Sequence, residues 1–104
     1  MNPIQELQRW YRNSCDGVWE HHFGVHIETL DNPGWRFVVD LEGTSLQGRS
    51  FQEINQGVGL DARAQGDDWM VCRVEAGKKF VAHGGPFQLD EMITVFIAWT
   101  QKPP

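Results

Sequence analysis

Cysteine is scarce in this 104-residue chain: only Cys15 and Cys72 occur, and they lie far apart. Isolated thiols supply neither the clustered ligands of a zinc site nor the CxxC pair of a redox centre. We therefore expect both to pack as small apolar side chains. A chain that is not built around disulfides is typical of the reducing cytoplasm, which is the predicted location.

Long apolar runs are also missing. No stretch approaches the roughly 20 apolar residues that a membrane-spanning helix needs. The first residues lack the basic segment followed by an apolar stretch that marks a secretory signal. We expect no membrane partner. The length predicts a single domain over residues 1–104, which can bury a core without a disulfide or a structural metal.

Basic residues are few, with 9 Lys and Arg against 14 Asp and Glu, so the formal net charge is -5. Phosphates repel an acidic surface, which argues against nucleic acid as a direct partner and favours a basic one. The bias is strongest over residues 16–42, where six acids accompany Arg36 as the only Lys or Arg. An equally simple interpretation is that mild acidity keeps the domain soluble.

Helix signals stand at both ends of the chain. Asn2 is a favoured N-cap, Pro3 suits the first helical position, and Gln5 stands where a capping box needs an amide or an acid. These residues predict a helix over residues 3–14. A second helix is predicted over residues 88–100 from an apolar stripe at helical spacing. The stripe consists of Leu89, Met92, Ile93, Phe96 and Ile97.

Between these helices the sequence predicts strands. Residues 35–42 show the clearest apolar alternation, and residues 68–75 and 79–83 form a hairpin around Ala76-Gly77-Lys78. The remaining predicted strands cover residues 18–23, 25–31 and 46–51, the first two being one strand if the chain only bends at Gly24. Residues 55–66 are predicted to be a loop because they hold little apolar mass.

This order of elements predicts an α+β fold. Each predicted helix has one apolar stripe and each clear strand has one apolar face. The simplest packing is a two-layer sandwich, in which an antiparallel sheet of about five or six strands carries the N-terminal and C-terminal helices on one face. The opposite face is then partly open to solvent.

Strand alternation predicts which side chains this open face carries. Phe37 and Val39 should point towards the helices, so Arg36 and Asp40 should point away. Applied to every strand, this reasoning gives a face of Glu20, His22, His26, Glu28, Arg36, Asp40, Trp69 and Arg73. Mixed charge around an aromatic side chain is typical of protein interfaces. An ordinary solvated sheet face is an equally simple interpretation, and a one-residue register error would turn all these side chains inward.

Three neighbouring histidines raise the question of chemistry. His22 and His26 have the spacing of a helical zinc pair, but on a strand four residues span roughly 13 Å, too far for one ion. Glu20 and His22 share a strand face and could form an acid–base pair. No serine lies in a nucleophile motif and no glycine-rich loop cradles a phosphate. The sequence therefore predicts no metal, no cofactor and no catalytic residue, and an enzyme using Glu20, His22 and His26 is the alternative.

Several separated motifs resemble the immunity protein 53 family. They occur in order from about residue 4 to Trp99: Leu7-Gln8-Arg9-Trp10-Tyr11, Cys15-Asp16-Gly17, Trp19-Glu20-His21-His22-Phe23-Gly24, Leu30-Asp31-Asn32-Pro33-Gly34-Trp35, Gly43-Thr44, Trp69 and Gly84-Gly85-Pro86. The resemblance implies a small bacterial protein that neutralises a toxin of a polymorphic toxin system, and it brings no catalytic residues. Segment 55–66 is longer and richer in glycine than the family pattern.

Together these observations predict an immunity protein rather than an enzyme. The expected partner is a cognate protein toxin, and a basic nuclease fits the acidic charge. The expected assembly is a monomer or a weak homodimer. A third interpretation is a structural subunit that dimerises through its open face. The Asp31–Trp35 motif is expected to be a rigid turn, which is compatible with its presentation as a tip to the toxin.

Overall fold

The computed structural model describes residues 2–57 and 67–103. In these residues the helices are α1 (Pro3–Ser14), α2 (Trp19–His22) and α3 (Leu89–Thr100), and the strands are β1 (Val25–Leu30), β2 (Gly34–Asp40), β3 (Ile54–Gln56), β4 (Met70–Glu75) and β5 (Lys79–Gly84). The strands form one antiparallel sheet in the order β1-β2-β5-β4-β3. The predicted α+β fold is confirmed.

Helix α1 begins at the predicted capping box. The Gln5 amide donates to the Asn2 side chain at 2.8 Å, and the Asn2 amide donates back to the Gln5 side chain at 3.2 Å. Leu7 is the buried residue of the helix, and Trp10 meets Phe96 of α3 edge-to-face, with ring centroids 5.0 Å apart. Because α1 packs through these residues against α3 and the core, both long helices cover the same face of the sheet.

The core lies between the sheet and these helices and is largely aromatic. Phe37 of β2, Phe80 of β5 and Phe96 of α3 are fully buried and form tilted or edge-to-face pairs with centroids 5.2–6.0 Å apart. Such arrangements add to the free energy of burial because the edge of one ring meets the face of another. Cys72 lies in this core, where burial raises the pKa of its thiol to about 12, so it packs as an apolar side chain.

Three tryptophans tie irregular segments to the core through their indole N–H groups. Trp19 donates to the carbonyl of Glu42 at 2.9 Å. Trp35 donates to Pro86 at 3.0 Å and Trp99 donates to Ser50 at 2.9 Å. These three hydrogen bonds fix the connections after β2, after β5 and before β3. The buried indoles of Trp19 and Trp99 and the half-buried indole of Trp35 thus each have a hydrogen-bond acceptor.

Two strand predictions are wrong. Residues 19–22, predicted as strand, form α2, because the Asp16 side chain accepts the amides of Val18 and Trp19 at 2.9 Å. Residues 46–51, also predicted as strand, instead begin within a series of turns after β2 and continue without regular structure. Backbone bonds from Gln47 to Thr44 and from Arg49 to Leu46 hold them, so the strand comes later, at Ile54–Gln56.

The other predicted connections are in place. Ala76 and Gly77 both have positive φ, 53° and 68°, which suits a tight hairpin between twisted strands. The loop predicted over residues 55–66 is wrong at its start, because Asn55 and Gln56 belong to β3. Gly57 lies in a bend, and residues 58–66 lie outside the described residues. No helix in the described part of the chain is both long and apolar enough to cross a membrane.

Candidate partner-binding surface

The sheet face opposite the helices, here called the open face, is defined by strand register. His26 and Glu28 of β1 lie opposite Val38 and Arg36 of β2, and Arg36 in turn lies opposite His83 of β5. The same parity extends across β5 and β4. The described open face includes His26, Glu28, Arg36, Val38, Asp40, Val71, Arg73, Glu75, Lys79, Val81 and His83.

Two valines form the centre of the open face. Val38 and Val81 are direct cross-strand partners, and they are only 2% and 1% exposed although no helix of the described residues lies over them. His26 and Arg73 flank this pair in the same row. Long charged side chains cover apolar neighbours with their stems. The centre of the open face is therefore dry even though its outer layer is polar.

The outer layer is balanced in charge. Glu28, Asp40 and Glu75 stand against Arg36, Arg73 and Lys79. Neighbouring members pair: Arg36 contacts Glu28 at 3.0 Å and Arg73 contacts Glu75 at 2.7 Å. The predicted face held three acids and two arginines. The described face gains Glu75 and Lys79 and loses Glu20, so it carries no net charge when its histidines are neutral.

Asp40 is buried rather than presented to solvent. Its side chain is 9% exposed and lies 3.3 Å from the Lys79 ammonium and 3.6 Å from His26 Nε2. It also accepts the backbone N–H of Gly24 at 3.0 Å. These contacts compensate the loss of hydration that a buried carboxylate suffers. Asp40 therefore holds the connection between α2 and β1 against the sheet.

His83 occupies the middle of the open face between two arginines. Burial lowers the pKa of His83 below its ordinary value, and the guanidinium groups of Arg73 and Arg36 lower it further. Both causes disfavour the charged imidazolium. Sequence alternation could have found His83, since Phe80 and Ala82 of the same strand point inward, but it is missing from the predicted face.

Glu20 and His22 do not lie on the sheet. Both belong to α2, and the Glu20 carboxylate accepts the amides of Asp16 and Gly17, each at 2.9 Å. Hydrogen bonds from its own backbone amide and from those of Asp16 and Gly17 lower the pKa of Glu20. Glu20 thus closes the loop before α2. His22 is exposed and its ring lies 6.4 Å from that of Phe23.

Trp69 is on the predicted side of the sheet but is 7% exposed. It immediately precedes β4, and its ring reaches within 3.5 Å of the position that a Cβ on Gly34 would occupy. Its side chain therefore fills space at the end of the sheet instead of standing free as an anchor. Of the eight predicted residues, four lie together with substantial exposure: His26, Glu28, Arg36 and Arg73.

Comparison with known proteins gives one result. The family model described as immunity protein 53 matches residues 4–101. The chain belongs to the immunity protein 53 family. No curated protein and no solved structure was found to match it.

Several residues of the motifs that resemble the immunity protein 53 family have a structural role. A Cβ on Gly34 would lie 2.3 Å from the carbonyl oxygen of Gly84, so this position has no room for a side chain. Trp35 is half-buried and packs against the core. Trp10 and Trp19 meet edge-to-face at 5.9 Å. In this chain these residues shape the fold by packing and close backbone contact.

The histidines and carboxylates of this immunity-family domain form no metal cluster in the described residues: no group of three or more His, Cys, Asp or Glu side chains is placed to hold an ion. Glu20 is bonded to loop amides, and among the described residues it makes no hydrogen bond to His22 or His26. The geometry therefore lends no support to the enzyme that would use these three residues.

The acidic excess of this immunity-family domain lies beside the open face. At the end of the sheet marked by the β1–β2 turn, the register aligns Trp35, Gly84 and Met70, which brings the turn, the residues before β4 and the start of α3 together. We call the exposed acids there the acidic rim: Asp31, Asp67, Asp68, Asp90 and Glu91. Phe87, 79% exposed, follows β5 at the same end.

The acidic rim differs from the open face in its ion pairs. Among the described residues, none of its carboxylates forms an ion pair. Their fields therefore add instead of cancelling locally. Sequence reasoning found the acidic character but assigned it to the strands, whereas the structure places it in the turn, the β4 approach and the first turn of α3.

Proposed function

We propose that this protein neutralises a cognate bacterial toxin by binding it directly in the cytoplasm. The observation that carries the proposal is the match to the immunity protein 53 model over residues 4–101. The formal net charge of -5 supports a basic partner, and a nuclease with a basic cleft is the favoured class. On this proposal the protein acts by occupying a surface, not by catalysis.

We further propose that the toxin contacts the open face and its acidic rim. The rim supplies negative charge that no ion pair among the described residues compensates, and such charge speeds the encounter with a basic partner. Phe87 supplies an exposed aromatic side chain beside it. The open face supplies His26, Glu28, Arg36 and Arg73 as short-range contacts around a dry valine centre. Trp69, Asp40 and Glu20 act indirectly in this arrangement, by holding the backbone that presents those contacts.

The first experiment is protection and co-purification with a candidate toxin domain taken from the genes adjacent to this one. We expect cells producing that domain to survive only with the protein present, and the two chains to purify as a complex. Toxicity that persists at equal expression, with no complex, contradicts the proposed function.

The second experiment locates the surface by measuring association and dissociation rates with that toxin. The variant Asp31→Lys with Asp90→Lys reverses two rim charges. Its matched control, Glu42→Lys with Glu53→Lys, makes the same change of net charge away from the rim, since Glu42 follows the end of β2 and Glu53 precedes β3. We expect the rim variant to slow association about tenfold at low salt and the control to slow it less.

Equal slowing by both variants would show that only net charge matters and would remove the rim from the proposal. The open face is tested with Arg36→Ala and Arg73→Ala combined, which should speed dissociation, because short-range contacts act mainly on that rate. An unchanged dissociation rate in this folded variant would exclude the open face as the contact.

A further inference from the structure

The two edges of the described sheet are unlike. Strand β3, at one edge, has three residues, Ile54–Gln56. Strand β1, at the other, has six, Val25–Leu30, and contains no proline, lysine or glycine. Proteins usually protect a long edge by shortening it, bulging it or placing lysine or proline there, since a bare edge pairs with another strand. The β1 edge carries none of these residues.

The backbone parity of β1 shows which groups face outward. The Asp40 amide donates to the carbonyl of Gly24 at 3.0 Å, which makes Gly24 and Asp40 a hydrogen-bonded pair. In an antiparallel ladder such pairs alternate, so His26 and Glu28 bond to β2. The N–H and C=O groups of Val25, Ile27 and Thr29 therefore point away from the sheet.

Apolar side chains collect along this same edge. Five large hydrophobic residues are exposed in the described chain, and three of them lie here: Ile4 at 53%, Tyr11 at 39% and Ile27 at 43%. With Leu7 and Val25 they line a groove of about 420 Å³ between α1 and β1. A bare strand edge beside an apolar groove is the geometry that accepts an added strand.

We propose that the occupant of this edge is β1 of a second copy of the chain, paired antiparallel about a two-fold axis at Ile27. This register pairs the outward backbone groups of Ile27 with those of the second Ile27, and those of Val25 with those of Thr29. It also brings Ile4, Tyr11 and Ile27 of the two copies together on the helix side. One interface thereby covers most of the exposed large hydrophobic side chains.

Charge selects this register. With Ile27 at the axis, His26 of each copy lies opposite Glu28 of the other, in the pairs that bring side chains closest. Both side chains are accessible for this, at 62% and 59% exposed. Moving the axis to Glu28 keeps the backbone parity but sets two carboxylates directly opposite one another, which is unfavourable. The pairing leaves Arg36, Arg73 and the centre of the open face uncovered. It does engage His26 and Glu28, which the proposed toxin-binding surface shares.

The test is sedimentation equilibrium of the full chain without toxin, over a range of concentrations. We expect the mass to rise from that of the monomer towards twice that value. Ile27→Lys should raise the dimer dissociation constant about tenfold or more, because lysine blunts an edge. The control Asn55→Lys changes an exposed residue on the opposite edge strand and should leave the constant unchanged. Circular dichroism checks that each variant is folded.

A charge exchange tests the register. His26→Glu alone and Glu28→Lys alone should each weaken the dimer, and the double variant should recover it because a glutamate of one copy then faces a lysine of the other. A monomer at every concentration, a dimer indifferent to Ile27→Lys, or no recovery in the double variant would each overturn the proposal. A monomeric chain whose Ile27→Lys variant loses toxin binding would assign the edge to a strand of the toxin and also overturn it.

Discussion

The two faces of the sheet bury their apolar side chains in different ways. The inner face buries Phe37, Val39, Phe80 and Ala82 against two helices, so its strands are protected by apolar packing. The open face buries Val38 and Val81 almost as completely, with charged side chains as their neighbours. The comparison teaches that an open sheet face need not be wet, and that its polar layer can serve both as cover and as a binding surface.

The largest effect is expected on the inner face. Phe80→Ala removes a ring that pairs with four other aromatic side chains, those of Phe37, Phe51, Phe96 and Trp99, and leaves a cavity. The free energy of unfolding should fall by about 3–5 kcal/mol, measured by urea denaturation. A loss below about 1 kcal/mol would mean that the helices do not form the tight inner layer described above.

On the open face the largest effect should come from Asp40. Asp40→Ala removes the acceptor of the Gly24 amide and leaves Lys79 without its carboxylate. We expect a loss of about 1–3 kcal/mol in the same assay. The control Glu75→Ala removes an exposed carboxylate from the same face and should cost less. Equal losses would show that burial of Asp40 contributes nothing.

The open face, unlike the inner face, should make the stability of the protein depend on pH through His83. The pKa of His83 is lowered in the folded protein, so the unfolded chain binds a proton more readily. Stability should therefore be complete above the ordinary histidine pKa of about 6.5 and fall as pH decreases below it. His83→Gln should flatten this dependence in thermal melts between pH 7.5 and 5, whereas the control His22→Gln, on the exposed α2, should not.

The smallest effect is expected for the exposed ion pair. Glu28 and Arg36 have side chains that are 59% and 37% exposed, and water screens such pairs strongly. Glu28→Gln should change the free energy of unfolding by about 0–1 kcal/mol. A larger loss would show that the charged layer is cooperative and not a set of independent pairs.

Local signals were enough to predict much of this fold. The Asn2–Gln5 capping box marked the start of α1, and alternation around Phe37 marked β2 and its inner face. Helix α2 was missed because two side chains together define its start. Asp16 accepts the amides of Val18 and Trp19 at the start of the helix, and Glu20 accepts the amides of Asp16 and Gly17 in the loop before it. The strand β3 was misplaced because turns between Leu41 and Arg49 depend on contacts with other parts of the chain.

The candidate surface was harder to predict than the fold, for a physical reason. Alternation gives the side to which a residue points, and it correctly put His26, Glu28, Arg36 and Arg73 on the open face. Burial depends on which strand lies alongside. Asp40 is enclosed because β5 brings Lys79 beside it, a pairing of residues distant in the sequence that no local pattern contains.

The three indole hydrogen bonds to loop carbonyls also give this protein intrinsic fluorescence probes of its connections. Trp19, Trp35 and Trp99 each touch a different connection, through Glu42, Pro86 and Ser50. Indole emission responds to hydration, so variants that retain one of these three tryptophans would report on one connection at a time. Loosening of the segment beside the acidic rim could then be followed through Trp35 without attaching any dye.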